Sequence, residues 1–131
     1  MKEGEFLKKR GKEFWERAFE DIEKERFNLS AFDFEQALQL WLKYLIFLKA
    51  ADLPKIHFLT QLIEYVMEIY KSDKLKKFYN KNRLAIKMIE DSYITSRYFS
   101  REFKKEEAEE IKKISLKLVE VLENETKIKF I

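Results

Sequence analysis

The chain has 131 residues, a net charge of +3, and 46% hydrophobic and 15% aromatic residues, which is enough apolar material for the core of one domain. It has no Cys and one His, which excludes disulfide frameworks, thiol nucleophiles and metal centres that need Cys or several His from one chain. Two Gly and one Pro are too few for the turns of a β-sandwich or barrel, so the composition predicts an all-α domain.

Charge is abundant but unevenly distributed. Charged residues make up 39% of the chain, mostly Lys and Glu, a composition typical of thermophile proteins. Residues 71–105 contain 11 basic and 4 acidic residues, a local charge of +7, whereas the segments on either side each carry −2. This excess is either a surface for a polyanion or a solvated Lys-rich face. The charged N-terminus and the lack of an apolar run of roughly 18 residues predict a cytoplasmic protein without membrane contact.

The first half of the chain predicts two helices. Apolar residues recur at helical spacing over residues 6–27, which predicts helix one. Ser30 followed by Asp33 is an N-cap signal, and we expect helix two from about Phe34 to Ala51. Helix two is apolar on most sides, so protein must surround it on several faces.

The second half predicts three more helices. Pro54 marks a break over residues 52–55, and helix three follows over residues 56–70. Ser72 or Asp73 can cap helix four, which has a basic outer face. Periodicity is lost after Tyr93, where we expect a loop, and the last helix begins near Lys105.

These elements form one domain over residues 1–131, with its core at about residues 5–123. We find no internal repeat and no linker. The predicted architecture is an up-and-down antiparallel bundle of about five helices. The tail, residues 127–131, is expected to fray or to pack on a partner.

Polar side chains interrupt the most apolar helix at spacings of three and four residues. They are Gln36, Gln39 and Lys43. Buried amides and a buried ammonium need partners, so this stripe meets polar groups on another helix, on a ligand or on a second subunit. The alternative is that the stripe is an edge that faces solvent.

A basic and aromatic cluster falls in the predicted turn before the last helix. An Arg guanidinium holds phosphate with two hydrogen bonds, and a neighbouring Tyr stacks on a base. The alternative is that Arg97 pairs with a carboxylate or caps a helix while Tyr98 packs. We expect the turn to lie close to the basic face of helix four. The candidates for nucleotide or RNA binding are therefore Ser96, Arg97, Tyr98, Arg101, Arg83 and Lys87.

No motif assigns a catalytic residue, a metal site or a cofactor. The chain has no glycine-rich phosphate loop, no G-x-S-x-G elbow and no H-E-x-x-H helix. His57 stands alone after Pro54, where we expect it to cap or pack the loop.

Several short features occur in a recognisable order. They are Phe14, Ala18, Asp21 and Glu23 in the opening helix; Gln36-Ala37 followed by Leu42-Lys43; His57-Phe58-Leu59; Ser96-Arg97-Tyr98; and Glu106-Glu107-Ala108. Together they resemble the HEPN family of nucleotide- or RNA-associated proteins. The resemblance implies a bundle of four or five antiparallel helices, a homodimer, and a minimal nucleotidyltransferase as partner in a toxin–antitoxin pair.

Many members of that family are metal-independent ribonucleases with an Arg followed after four to six residues by His. Here the residues at those distances from Arg97 run from Glu102 to Lys104, and from Arg101 they run from Glu106 to Ala108, so the His is missing. Gln39 also replaces an acidic residue of the family pattern.

The sequence therefore predicts a non-catalytic dimer that binds a nucleotide, RNA or a nucleotidyltransferase partner through its basic middle third. The alternatives are an active ribonuclease toxin that uses Arg97, Arg101 and Tyr98, and a structural interaction module. The surplus apolar surface of helix two also predicts a two-fold homodimer.

Overall fold

The computed structural model describes residues 4–131, which contain six α-helices and no strand. This confirms the all-α prediction, with one helix more than expected. None of the described helices is both long enough and apolar enough to cross a membrane. The helices are α1 (Glu5–Glu23), α2 (Phe27–Ala50), α3 (Leu59–Tyr70), α4 (Asp73–Lys81), α5 (Arg83–Tyr98) and α6 (Lys105–Thr126).

Helix α2 is the centre of the bundle, and it contacts α1, α3, α5 and α6. Its apolar side chains face neighbours on several sides, as its sequence predicts, and the burial of each large side chain contributes about 1.5–3 kcal/mol. The largest of those that are fully buried are Phe34, Leu38, Trp41, Leu42, Leu45 and Ile46.

Helices α1 and α2 approach closely around one indole ring. The ring centroids of Trp15 and Trp41 are 5.2 Å apart, and Trp41 Nε1 donates a hydrogen bond to the carbonyl of Lys8 at 3.0 Å. A Cβ atom on Gly11 would lie 2.4 Å from Trp41 Nε1. Glycine is therefore needed at this position to let the two helices meet.

The predicted start of helix two was wrong. Helix α2 begins at Phe27, so Ser30 and Asp33 are buried within the helix and do not cap it. The Ser30 hydroxyl donates to the carbonyl of Ala18 at 3.1 Å, and Asp33 accepts two hydrogen bonds of 2.8 Å from Arg17. Both residues join α2 to α1, and such tertiary partners leave no local signal in the sequence.

The predicted fourth helix is two helices, and the loop expected after Tyr93 starts later. Helix α4 ends at Lys81, and Asn82 leaves helical geometry at φ −117° and ψ 25° while its amide donates to the carbonyl of Phe78 at 2.9 Å. Asparagine readily forms this type of local bond, which ends a helix without Gly or Pro. Helix α5 then continues to Tyr98.

As a consequence, Ser96, Arg97 and Tyr98 belong to the last turn of α5, and their prediction as a turn outside a helix was wrong. Two of their side chains bond to the helix itself. The Ser96 hydroxyl donates to the carbonyl of Ser92, and Arg97 Nε donates to the carbonyl of Tyr93 at 2.9 Å.

The tail packs on its own chain, which contradicts the expectation that it frays or needs a partner. Phe130 is buried and stacks on Trp41 with a centroid distance of 4.8 Å. The backbone N–H groups of Phe130 and Ile131 both donate to Glu123 Oε2, at 2.6 and 3.0 Å. These contacts close the bundle over the central helix.

Left-handed backbone geometry follows four of the helices, and none of these positions is a glycine. The residues are Glu25, Ala51, Lys71 and Lys127, with φ between 51° and 64°. The two glycines instead lie where helices approach a ring, Gly4 against Phe47 and Gly11 against Trp41.

Candidate functional site

The polar stripe of helix two is buried, and its partners lie within the same chain. The Glu35 carboxylate accepts hydrogen bonds from Gln36 Nε2 at 2.7 Å and from Gln39 Nε2 at 2.8 Å. Lys43 Nζ lies 3.2 Å from His57 Nδ1, in the segment between α2 and α3. Gln39 and Lys43 are buried, Gln36 is half-buried, and Glu35 is fully buried. We call these five residues the polar cluster.

Burial dominates the electrostatics of the polar cluster. It raises the pKa of Glu35 to about 7, against the opposing effect of the hydrogen bonds from Gln36 and Gln39, and the charge of Glu90 adds to the rise. Burial also lowers the pKa of Lys43, which the nearby Glu35 carboxylate partly offsets. The cluster therefore holds one carboxyl group that titrates near neutral pH.

The contact with Lys43 determines which nitrogen of His57 carries a proton. An ammonium group can only donate, so His57 Nδ1 accepts from Lys43 Nζ. His57 Nδ1 and Gln39 Oε1, which are 3.4 Å apart, are then both acceptors and do not form a hydrogen bond with each other. In the neutral ring the proton is on Nε2, and His57 presents an N–H donor from an exposed side chain.

Glu90 of α5 joins α3 to the basic surface. Its carboxylate accepts from the backbone N–H and the hydroxyl of Thr60, at 2.8 and 2.6 Å, and from Lys87 Nζ at 2.6 Å. Burial alone would raise the pKa of Glu90, but these hydrogen bonds outweigh it and hold the pKa below its usual range. Lys87 also lies 3.5 Å from Asp91, so its charge is balanced locally.

A cleft of about 580 Å³ lies between the segment before α3, α3 itself and the second half of α5. We call it the α3–α5 cleft. Its walls are mostly apolar, and two of its rings are open to solvent, Phe58 with 55% and Phe99 with 64% of its surface exposed. The lining residues are Lys55, Ile56, His57, Phe58, Gln61, Glu90, Asp91, Tyr93, Ile94, Thr95 and Phe99.

Arg97 lies beside this cleft, on the ring of one of its wall residues. Its guanidinium carbon is 4.5 Å from the ring centroid of Tyr93, 4.9 Å from that of Tyr98 and 5.1 Å from that of Phe32. Within residues 4–131, no carboxylate forms an ion pair with Arg97. Tyr98 is 71% exposed. The guanidinium is thus oriented by rings and keeps its charge available.

Arg101 and Lys87, two of the other predicted cations, differ from Arg97. Arg101 pairs with Glu107, the residue that also accepts from the backbone N–H of Lys104 at the start of α6, at 2.9 Å. Arg101, in the segment between α5 and α6, lines a shallow groove of about 350 Å³ together with Lys87 and Asp91 of α5. Both have carboxylate partners, so they are less available to a ligand.

Arg97 was predicted to lie close to the basic face of helix four, and the helix geometry shows that this prediction was wrong. Ten residues of α5 separate Lys87 from Arg97, a rise of about 15 Å, and Arg83 is one turn further away. Arg83 lies over the ring of Tyr79, 5.3 Å from its centroid. None of the six predicted nucleotide-binding residues lines the α3–α5 cleft.

Residues 5–125, nearly the whole chain, match the HEPN domain family. The chain belongs to the HEPN domain family. This confirms the resemblance inferred from the order of short motifs. No curated protein and no solved structure matches the chain. Within the described residues of this HEPN domain, no group of three or more His, Asp or Glu side chains is placed to hold a metal ion.

Sequence reasoning missed Glu35 and the rings of the α3–α5 cleft. Glu35 and Gln39 are four residues apart on one face of α2, a spacing that would have identified Glu35 as a partner of Gln39. Phe58 and Phe99 had no such signal, because each lies outside a helix and only the tertiary fold places them in the cleft.

Proposed function

We propose that this HEPN domain binds a nucleotide or single-stranded RNA at the C-terminal end of α5 and does not cleave it. The observation that carries the proposal is Arg97, an exposed guanidinium held by three aromatic rings with no ion-pair partner among residues 4–131. Membership of the HEPN family supports a role related to nucleotides or RNA.

The chemistry around Arg97 suits a nucleotide better than a protein carboxylate alone. A guanidinium offers several N–H donors to one phosphate, and within residues 4–131 Arg97 uses only Nε. Tyr98 and Phe99 follow it with exposed rings, and such rings stack on unpaired bases of any sequence. Phosphate contact and base stacking are thus offered within three consecutive residues.

Binding without cleavage follows from what surrounds Arg97. The chain has a single His, and His57 lies in the segment between α2 and α3 and not after Arg97. The residues at the family's His distance from Arg97 are Glu102, Phe103 and Lys104, and none of them is a histidine, the side chain that most often transfers protons in catalysis. Arg101, the second cation of the ribonuclease alternative, is paired with Glu107.

The test compares Arg97→Ala and Arg97→Lys in salt-titrated binding to single-stranded RNA. Loss of one phosphate contact should weaken binding and lower the salt slope by about 0.7 for a single strand, whereas Lys should keep most of the slope but lose affinity. Arg10→Ala is the matched control, since Arg10 is also exposed and lies over a ring, that of Phe6 at 5.1 Å.

Three results would contradict the proposal. If Arg97→Ala lowers the melting temperature and leaves RNA affinity unchanged, Arg97 only packs α5 against Phe32 and α2. If wild-type protein cleaves RNA and Arg97→Ala does not, the ribonuclease alternative replaces binding. Binding to RNA that does not respond to salt would favour the structural interaction module, because only phosphate contacts release counterions.

We also propose a homodimer, with a minimal nucleotidyltransferase as a second partner. The apolar sides of α2 are covered within the chain, so they no longer support the dimer, but Leu84 on α5 is 88% exposed. Light scattering should give twice the monomer mass of 16.1 kDa, and Leu84→Glu should restore the monomer. A wild-type monomer at micromolar concentration would count against the dimer. Co-purification with the nucleotidyltransferase of a neighbouring gene tests the second partner.

A further inference from the structure

The α3–α5 cleft shares Phe99 with the surface proposed at Arg97, and it has further features of a ligand site that the phosphate contact there does not use. It is concave and mostly apolar, and three of its wall residues are the aromatic Phe58, Tyr93 and Phe99. Its volume lies within the range of pockets that hold small molecules. A few polar groups converge on it, which is the usual way in which such pockets orient a ligand.

Because the charges around the cleft cancel, we expect the part of a ligand that enters the cleft to be uncharged. Glu90 and Asp91 bring two negative charges to the cleft. Lys87, which lies within ion-pair distance of both, and Lys55 of the wall bring two positive ones, so the local charges sum to about zero. The uncharged hydrogen-bonding side chains of the lining include those of His57, Gln61 and Thr95. They offer an imidazole N–H, an amide and a hydroxyl, which suit the donor and acceptor edge of a heteroaromatic ring.

We propose that the α3–α5 cleft binds a single nucleobase, stacked on its aromatic walls and bonded at its edge by His57 and Gln61. This inference rests on the proposed function, because it places the base of the nucleotide whose phosphate meets Arg97. The two sites adjoin through Tyr93, which lines the cleft and lies 4.5 Å from the Arg97 guanidinium carbon. Base and phosphate are then recognised by separate sets of residues.

The experiment titrates the full chain with adenosine, guanosine, cytidine and uridine in a calorimeter, since these ligands carry a base and no phosphate. Ile94→Trp replaces an aliphatic side chain of the cleft wall with a larger indole ring, and the affinity for the nucleoside that binds should fall at least about tenfold. Leu116→Trp is the matched control on α6, because Ile94 is 45% and Leu116 37% exposed. It should leave affinity unchanged.

Phe58→Ala is a second variant, which removes one aromatic ring from the cleft wall and adds no bulk to the cleft. Loss of one stacking ring should weaken nucleoside binding about fivefold or more. Melting temperatures of the Ile94→Trp and Phe58→Ala variants should stay near that of the wild type, because about half of each wild-type residue is exposed.

The outcomes separate this inference from the proposed function. If no nucleoside binds up to about 1 mM while RNA binding still depends on Arg97, the cleft is not a base site and the proposed function stands. If Ile94→Trp changes the oligomeric state and not nucleoside affinity, the cleft is a protein interface and the inference is overturned. If nucleosides bind in the cleft and RNA does not bind, the base site stands and the RNA surface fails.

Discussion

Aromatic residues lie on both sides of the central helix α2, but those on one side are buried and those on the other side are exposed. On the side of α1 and the tail, Trp15, Trp41 and Phe130 are buried, and Trp41 contacts the other two rings. On the side of α3 and α5, Phe58 and Phe99 keep more than half of their surface in solvent. The comparison teaches that the same residue type stabilises the fold where it is covered and offers binding surface where it is not.

The largest effect that the comparison predicts is a difference in the free energy of unfolding between Trp41→Ala and Phe99→Ala. Removal of the Trp41 ring leaves a cavity among Trp15, Phe130 and Gly11 and should lower the free energy of unfolding by about 3–5 kcal/mol. Phe99→Ala should change it by less than about 0.5 kcal/mol. Urea unfolding of both variants measures this, and comparable losses would show that the α5 side is as much core as the α1 side.

Gly11→Ala tests how closely packed the α1 side is. In an exposed helix, alanine is more favourable than glycine by about 0.5–1 kcal/mol. Here the added Cβ meets the Trp41 ring at 2.4 Å, so we expect a loss of about 1–3 kcal/mol. Lys12→Ala, an exposed change on the same helix, is the control. A gain in the melting temperature of Gly11→Ala would mean that the indole can move aside.

The pH dependence of stability tests the α3 and α5 side. Burial raises the pKa of Glu35 to about 7, above its ordinary value of 4.5, so the folded state holds a proton that the unfolded state releases. The stability that this proton supplies is present below about pH 4.5 and is lost as pH rises through 7, with a slope of at most about 1.4 kcal/mol per pH unit.

Glu35→Gln should remove that part of the pH dependence. The melting temperatures of the wild type and the variant are measured at pH 5 and pH 8. The difference between the two proteins at each pH reports on Glu35, because the contributions of other titrating groups such as Asp33 cancel. We expect the wild type to lose stability relative to Glu35→Gln at the higher pH. A difference that does not change with pH would place the pKa of Glu35 in its ordinary range.

The smallest expected effect is that of Arg101→Ala. Its ion pair with Glu107 is partly exposed, and such pairs contribute about 0.2–1 kcal/mol. Because Arg101 is occupied by that pair, its replacement should weaken RNA binding less than Arg97→Ala does. Parallel RNA titrations decide this, and equal losses would extend the phosphate surface across the start of α6.

The helices were predictable where the signal is local and less so where it is tertiary. The apolar spacing of α1 and the Pro54 break appear in the sequence, and so does the cap of α4, where Ser72 accepts from the backbone N–H of Leu75 at 3.1 Å. The start of α2 was not predictable, since Asp33 is held by Arg17 of another helix. The break at Asn82 also lacks the Gly or Pro that usually marks one.

The candidate site divides in the same way. The need of the polar stripe for buried partners followed from its residue types, and the structure supplies them in Glu35 and His57. The α3–α5 cleft could not be predicted, because Phe58 and Phe99 are 41 positions apart and meet only through the packing of α3 on α5. Local patterns identify which groups need partners, and the fold decides which surfaces stay open.

The left-handed residues at the helix ends explain how a chain with two glycines can change direction so often. A residue with a Cβ in this geometry loses about 1–2 kcal/mol, but glycine there would cost about 0.4–1 kcal/mol in extra freedom of the unfolded chain. The net penalty at Ala51 or Lys71 is therefore about 0–1.6 kcal/mol. Helix reversal tolerates ordinary residues at little cost, and glycine is indispensable only where one helix must lie directly against the ring of another, as Gly11 does on Trp41.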